Sequence, residues 1–223
     1  MNNKDLSFMK DTPFFHAGIY DNKKVFEHTT KAIENVIKSK VGLKIDLKMT
    51  NDGQIICFQD DNVKRLVHID DKVSDIEYDY LNYLTKFPIL KFSDLLKLTK
   101  DIPLIVEMDR NILEYKLKIM DELVMYEGKV AIVSKDMDTL KWLNKNYPKF
   151  IIGYKIDKDN MHRFHIFRRY DFEDIDINLY NDKYIRKQRE EKFIIGHNVK
   201  DDNVYDLKRL VYDTLICESQ LDN

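Results

Sequence analysis

Gly42-Leu43-Lys44-Ile45-Asp46-Leu47-Lys48-Met49 runs through Thr50-Asn51-Asp52-Gly53 directly into Gln54-Ile55-Ile56-Cys57-Phe58-Gln59-Asp60. Residues 42–49 read as a strand, and so do residues 54–58. Only Asn51-Asp52-Gly53 lies between them, which is too short for a parallel crossover. Asp-Gly is a strong hairpin signal, so the two strands are predicted to be antiparallel. With Asp52-Gly53 as a two-residue turn, Asn51 pairs with Gln54 and Gln59 falls across from Asp46. Side chains repeat along a strand with period two, which puts Lys44 on the face of Asp46. The hairpin is therefore expected to bring Lys44, Asp46 and Gln59 together.

Outward from this hairpin, short apolar runs alternate with helical patterns, the signature of repeated βα units and a parallel sheet. The strand candidates are residues 13–19, 42–49, 103–108, 129–134, 150–155, 172–177, 193–197 and 214–218. The helix candidates are residues 27–38, 93–100, 112–126, 136–144, 159–169, 183–190 and 201–212. Asp136 and Asp159 stand where helices should start, and Asp201-Asp202 reads as a helix cap. All six glycines are isolated, so no Gly-rich phosphate loop supports a dinucleotide-binding sheet. The pattern favours an α/β fold of the (β/α)8 TIM barrel type with a short β-hairpin at residues 42–59, in one domain over residues 1–223.

The bulk composition excludes several classes. Hydrophobic residues make up 43% and charged residues 34%, a balance suited to a packed globule. No run approaches a membrane span and residues 1–5 lead into no apolar leader, so a cytoplasmic location is expected. The net charge of −2 argues against nucleic acid as a partner. The stretch from His162 to Tyr170 interleaves bases with aromatics, but Phe164 and Phe167 share one helical face, so it reads as an amphipathic helix with a solvated basic side. Cys57 and Cys217 read as reduced core thiols, Trp142 as packing, and Asp60-Asp61 and Asp70-Asp71 as solvated loop acids.

Six short motifs resemble the glycerophosphodiester phosphodiesterase family in order and spacing. That family has His-Arg-Gly, Glu-Asn-Thr, Glu-x-Asp, Thr-x-Asp-Gly, His-Asp and Pro-Leu-x-x-Glu-x-Lys. This chain has His16-Ala17-Gly18, Glu27-His28-Thr29, Lys44-Ile45-Asp46, Thr50-Asn51-Asp52-Gly53, Gln59-Asp60, and Pro103-Leu104-Ile105-Val106-Glu107-Met108-Asp109. The match is specific over the first 110 residues and weak after about residue 155, where Gly196 stands in place of a usual aromatic.

The resemblance implies a PLC-like phosphodiesterase barrel that hydrolyses phosphoric diesters in lipid metabolism. It further implies a divalent cation on the Glu-x-Asp pair and the later glutamate, with two histidines for proton transfer. A phosphodiester is anionic, so the cation neutralises it while protic groups activate the attacking oxygen and release the leaving one.

Carried onto this chain, the resemblance keeps His16 as the catalytic histidine and Asp46 and Glu107 as metal ligands. It puts Lys44 where a metal glutamate belongs, Gln59 where the second histidine belongs, Ala17 for an arginine and Asp109 for a lysine. An amide cannot exchange a proton near neutral pH. Asp109, with Asp46 and Glu107, could complete three carboxylates for Mg2+ or Ca2+. Lys44 argues against a metal, because an ammonium can neutralise the same carboxylates. The expectation is therefore a phosphodiesterase-like barrel with hydrolase activity lost or strongly reduced, binding a small phosphodiester as a binding or regulatory module without a cofactor. The alternative is an active metal-dependent phosphoric diester hydrolase with a rearranged site.

Overall fold

A computed structural model describes residues 4–85, 87–108, 112–161 and 169–218. The strands are β1 (Phe14–His16), β2 (Gly42–Met49), β3 (Ile55–Cys57), β4 (Leu104–Glu107), β5 (Val130–Ser134), β6 (Ile151–Ile156), β7 (Phe172–Asp176), β8 (Phe193–Val199) and β9 (Thr214–Glu218). The helices are α1 (Thr30–Ser39), α2 (Lys64–Val67), α3 (Tyr78–Thr85), α4 (Phe92–Leu98), α5 (Leu113–Val124), α6 (Met137–Asn146), α7 (Asp182–Gln188) and α8 (Asp202–Lys208). Eight strands run parallel in the order β1-β9-β8-β7-β6-β5-β4-β2, and β1 pairs with β2 to close the ring. This is a (β/α)8 barrel, with β3 added antiparallel to β2.

Period two divides each strand between two environments. Leu43, Ile45, Leu47, Leu104, Val106 and Ile132 point outward, into one cluster with Ile33 and Val36 of α1, Leu95 of α4, Ile119 of α5 and Leu140 of α6. Phe14, Ile105, Ala131, Val133, Phe172, Ile195 and Ile216 point inward with Met9 and form an apolar barrel floor. Two glycines make room for its aromatic rings: a Cβ at Gly42 would lie 2.4 Å from the Phe14 ring, and one at Gly153 would lie 2.2 Å from Phe172. Each fully buried Phe contributes about 1.5–3 kcal/mol, so the floor anchors the layer of side chains above it.

The expected strands recur with small shifts, the largest at 13–19, where β1 spans only Phe14–His16. Asp136 and Asp201 are N-caps, accepting from the amides of Thr139 and Val204. Asp159 is not a helix start; residues 158–161 form a turn, and the rest of that expected helix, 162–168, lies outside the described residues. Helices α2 and α3 carry the connection from β3 toward β4 and were not foreseen.

The hairpin pairs antiparallel as expected, but its register differs by one. Leu47 faces Cys57 and Met49 faces Ile55, while Phe58 donates its amide to the Asp46 carbonyl at 3.0 Å. The loop has three residues, Asn51-Asp52-Gly53, with Gly53 left-handed at φ 76° and Asp52 not. A type I′ turn needs positive φ at both central residues, whereas a three-residue loop needs it only at the last. Phe58 therefore lies opposite Asp46, and Gln59 is exposed rather than beside Lys44.

Candidate functional site

The inward residues above the floor are charged, and they crowd the C-terminal half of the barrel, where enzymes of this architecture place their chemistry. They are His16 on β1, Lys44 and Asp46 on β2, Glu107 on β4, Lys155 on β6, Asp174 on β7, His197 on β8 and Glu218 on β9. Strand register puts His16 beside both Lys44 and Glu218, Asp46 beside Glu107, Lys155 beside Asp174, and His197 beside Asp176.

Lys44 is the hub. Its buried Nζ donates to Glu107 Oε2 at 2.5 Å and to Asp46 Oδ1 at 3.1 Å. Lys155 donates to both oxygens of Glu107 at 2.8 Å. His16 donates from Nε2 to Asp46 Oδ2 through a short bond, and from Nδ1 to Glu218 Oε2 at 3.0 Å. Burial alone would lower the His16 pKa, but the Asp46 carboxylate and the bond to Glu218 overcome it and raise it to about 9. Burial likewise opposes the charge on Lys44, yet Asp46 and Glu107 push its pKa up. Burial would raise the carboxyls; instead His16 and Lys44 hold Asp46 well below the usual range, and Lys155 and Lys44 hold Glu107 below it. Every oxygen of Asp46 and Glu107 thus faces a cation.

A second imidazole lies behind this network. His28, at φ 58° in the turn before α1, is buried, with Nε2 3.9 Å from Asp46 Oδ2. That is too long for a hydrogen bond, and neither ring nitrogen has a hydrogen-bond partner among the described residues. Burial lowers its pKa to about 4, so the ring is neutral. Glu27, next to it, is held by both terminal nitrogens of Arg65.

On the far side of the barrel, His197 Nδ1 donates to Asp174 Oδ1 at 2.7 Å. Burial would raise the Asp174 pKa, but His197 lowers it, so the carboxylate accepts and the imidazole proton sits on Nδ1. The Asp174 side chain is fully buried, whereas His197 is 13% exposed.

Of the sequence candidates, His16, Asp46, Glu107 and Lys44 come together; Gln59 does not, and Asp109 lies outside the described residues. His28, Lys155, Asp174, His197 and Glu218 were not among the candidates. Their signal was an ionisable residue near the C-terminal end of an apolar strand, or, for His28, a histidine where the family has asparagine. Cys57 and Cys217 are both free, as expected.

The residues present do not fit the divalent cation that the resemblance implies. The Lys44 ammonium lies between the two carboxylates that would hold it, and among the described residues no group of three or more His, Cys, Asp or Glu could bind a metal ion. Without Lys44→Glu, the donor set lacks a charge and keeps a competing one.

Similar structures include a glycerophosphodiester phosphodiesterase from Thermotoga maritima, 20% identical with a TM-score of 0.76, covering 92% of this chain and 93% of that one. A second, from Parabacteroides distasonis, is 13% identical with a TM-score of 0.72, covering 93% and 92%. A third, an Oleispira antarctica phosphodiesterase in complex with the product sn-glycerol-3-phosphate, is 13% identical with a TM-score of 0.76, covering 93% of each chain. At these identities the likeness shows the fold. Comparison with curated proteins finds no match. A model of the glycerophosphoryl diester phosphodiesterase family matches residues 16–168, two thirds of the sequence and all six motifs, and to that family the chain belongs.

Proposed function

We propose that this chain has lost the cation-dependent hydrolysis of glycerophosphodiesters, or keeps it only strongly reduced, and retains the barrel mouth as a metal-free site for a small phosphate ester. The observation that carries the reading is the Lys44 ammonium between Asp46 and Glu107. A fixed internal cation neutralises those carboxylates, so a divalent ion gains little by displacing it. The exposed amide at Gln59 supports the same reading, since general acid–base catalysis is worth roughly 10²- to 10⁴-fold per group. The ligand class comes from the family and from the Oleispira antarctica relative, which holds sn-glycerol-3-phosphate.

The test is an assay with glycerophosphocholine and an aryl phosphodiester in Mg2+, Ca2+ or Mn2+, together with calorimetry for the same ions. No cation-dependent turnover and no tight cation binding are expected from the wild-type chain. Metal-dependent hydrolysis abolished by His16→Ala would overturn the reading. Lys44→Glu combined with Gln59→His is expected to restore cation binding.

A further inference from the structure

Asp174 and His197 form an imidazole–carboxylate pair among the inward residues that shares no hydrogen bond with the Lys44 network. Three features of the fold converge on them. The carboxylate is fully buried and bonded to Nδ1, which in the neutral ring fixes the tautomer with the lone pair on Nε2. That Nε2 makes no hydrogen bond among the described residues, and the ring reaches solvent at the mouth. The register of β8 against β9 is irregular between Gly196 and Val199, and Asn198 is left-handed at φ 71°. Such irregularities re-aim side chains next to functional sites. Here one brackets His197 itself.

We propose that His197, oriented by Asp174, is the general base of a metal-independent phosphodiester cleavage at the barrel mouth, in the role that Gln59 cannot fill. The proposal rests on the reading of that mouth as a metal-free phosphate-ester site. In the step, water attacks phosphorus and its proton passes to His197 Nε2 as the new P–O bond forms. The P–O bond to the leaving group breaks with its electron pair, giving a phosphomonoester. An aryl leaving group departs as a phenolate and needs no proton. β8 and β1 stand on either side of β9, about 10 Å apart, with His197 alongside Ile216 and His16 alongside Glu218. The His16 nitrogens are both bonded, to Asp46 and Glu218, which leaves the His197 Nε2 as the imidazole nitrogen open to a phosphoryl group.

The experiment uses the full chain in EDTA with bis(p-nitrophenyl) phosphate, and 15N-histidine spectra with and without sn-glycerol 3-phosphate. The expected result is EDTA-resistant release of p-nitrophenolate that His197→Gln lowers by about 10²-fold or more. The glutamine amide can still donate to Asp174, which preserves the fold. Asp174→Asn is expected to lower the same rate and to shift the His197 proton from Nδ1 to Nε2 in the spectra. Equal rates in wild type and His197→Gln, with the ring nitrogens still moved by sn-glycerol 3-phosphate, would overturn the base and leave the binding site standing. No EDTA-resistant rate and no spectral response would overturn both.

Discussion

The charged ring has two unlike sides. Around β1, β2 and β4, where the family motifs lie, each oxygen of Asp46 and Glu107 is matched by Lys44, His16 or the Lys155 of β6. On β7 and β8, where the motifs fade, Asp174 has one oxygen without a hydrogen-bond partner among the described residues, and His197 bonds through one nitrogen. The difference teaches that conserved-looking letters mark where the ancestral chemistry sat, whereas unspent hydrogen-bonding capacity marks where a ligand can still be met. A closed network stabilises itself and has little left to offer; an open pair gives up stability and keeps reactivity.

The largest effect expected from breaking this contrast comes from its hub. Lys44→Ala leaves two buried carboxylates facing each other, and breaking a buried ion pair costs about 3–5 kcal/mol. Denaturant unfolding measures it. The open side should respond less, because Asp174→Asn keeps the shape and removes a charge, at about 1–3 kcal/mol. Equal losses on the two sides would erase the distinction. In Lys44→Glu, Ca2+ or Mg2+ should raise the melting temperature, with no such response in the wild type.

The next effect, on the order of 3 kcal/mol for each histidine, is set by pH. His16 is raised to about 9 from 6.5, so its contribution is complete below pH 6.5 and disappears as pH rises through 9. His28 is lowered to about 4, so its contribution is complete above pH 6.5 and is lost as pH falls toward 4. Stability should therefore peak near neutrality and decline on both limbs. His28→Asn, which restores the family residue and tolerates the left-handed turn, should flatten the decline between pH 6.5 and 4, leaving the loss at lower pH that comes from the depressed carboxyls of Asp46 and Glu107. A variant that kept the decline between pH 6.5 and 4 would show that another group causes it.

Much of the fold was legible because strand formation is local: residues 42–49 and 214–218 were foreseen to the residue as β2 and β9. The hairpin register was not, since Asp-Gly serves both two- and three-residue loops and only the backbone angle at Asp52 separates them. Lys44 could be read as a misplaced cation from the motif alone. Lys155 and His197 could not be placed beside the site, because their partners Glu107 and Asp174 lie 48 and 23 residues away and meet only when the strands assemble side by side. The pairing of Arg65 with Glu27 depends on a helix, α2, whose four residues carry no period long enough to notice.

The smallest effect compares two helices that flank the two sides. Asp136 caps α6, whose Met137, Thr139, Leu140 and Leu143 are buried. Asp201 caps α8, which has seven residues and none buried. Replacing an N-cap aspartate by alanine costs roughly 1 kcal/mol of helix stability. For α6 that loss is tied to the core through its buried face, so Asp136→Ala should lower global stability by about 1 kcal/mol. For α8 only the half-buried Val204 and Tyr205 couple the helix to the barrel, and Asp201→Ala should speed amide exchange along residues 202–208 while leaving the global unfolding midpoint within a few tenths of a kcal/mol. α8 follows directly from the irregular end of β8 that carries His197. If Asp201→Ala lowered global stability as much as Asp136→Ala, the open side would be as firmly built as the closed one.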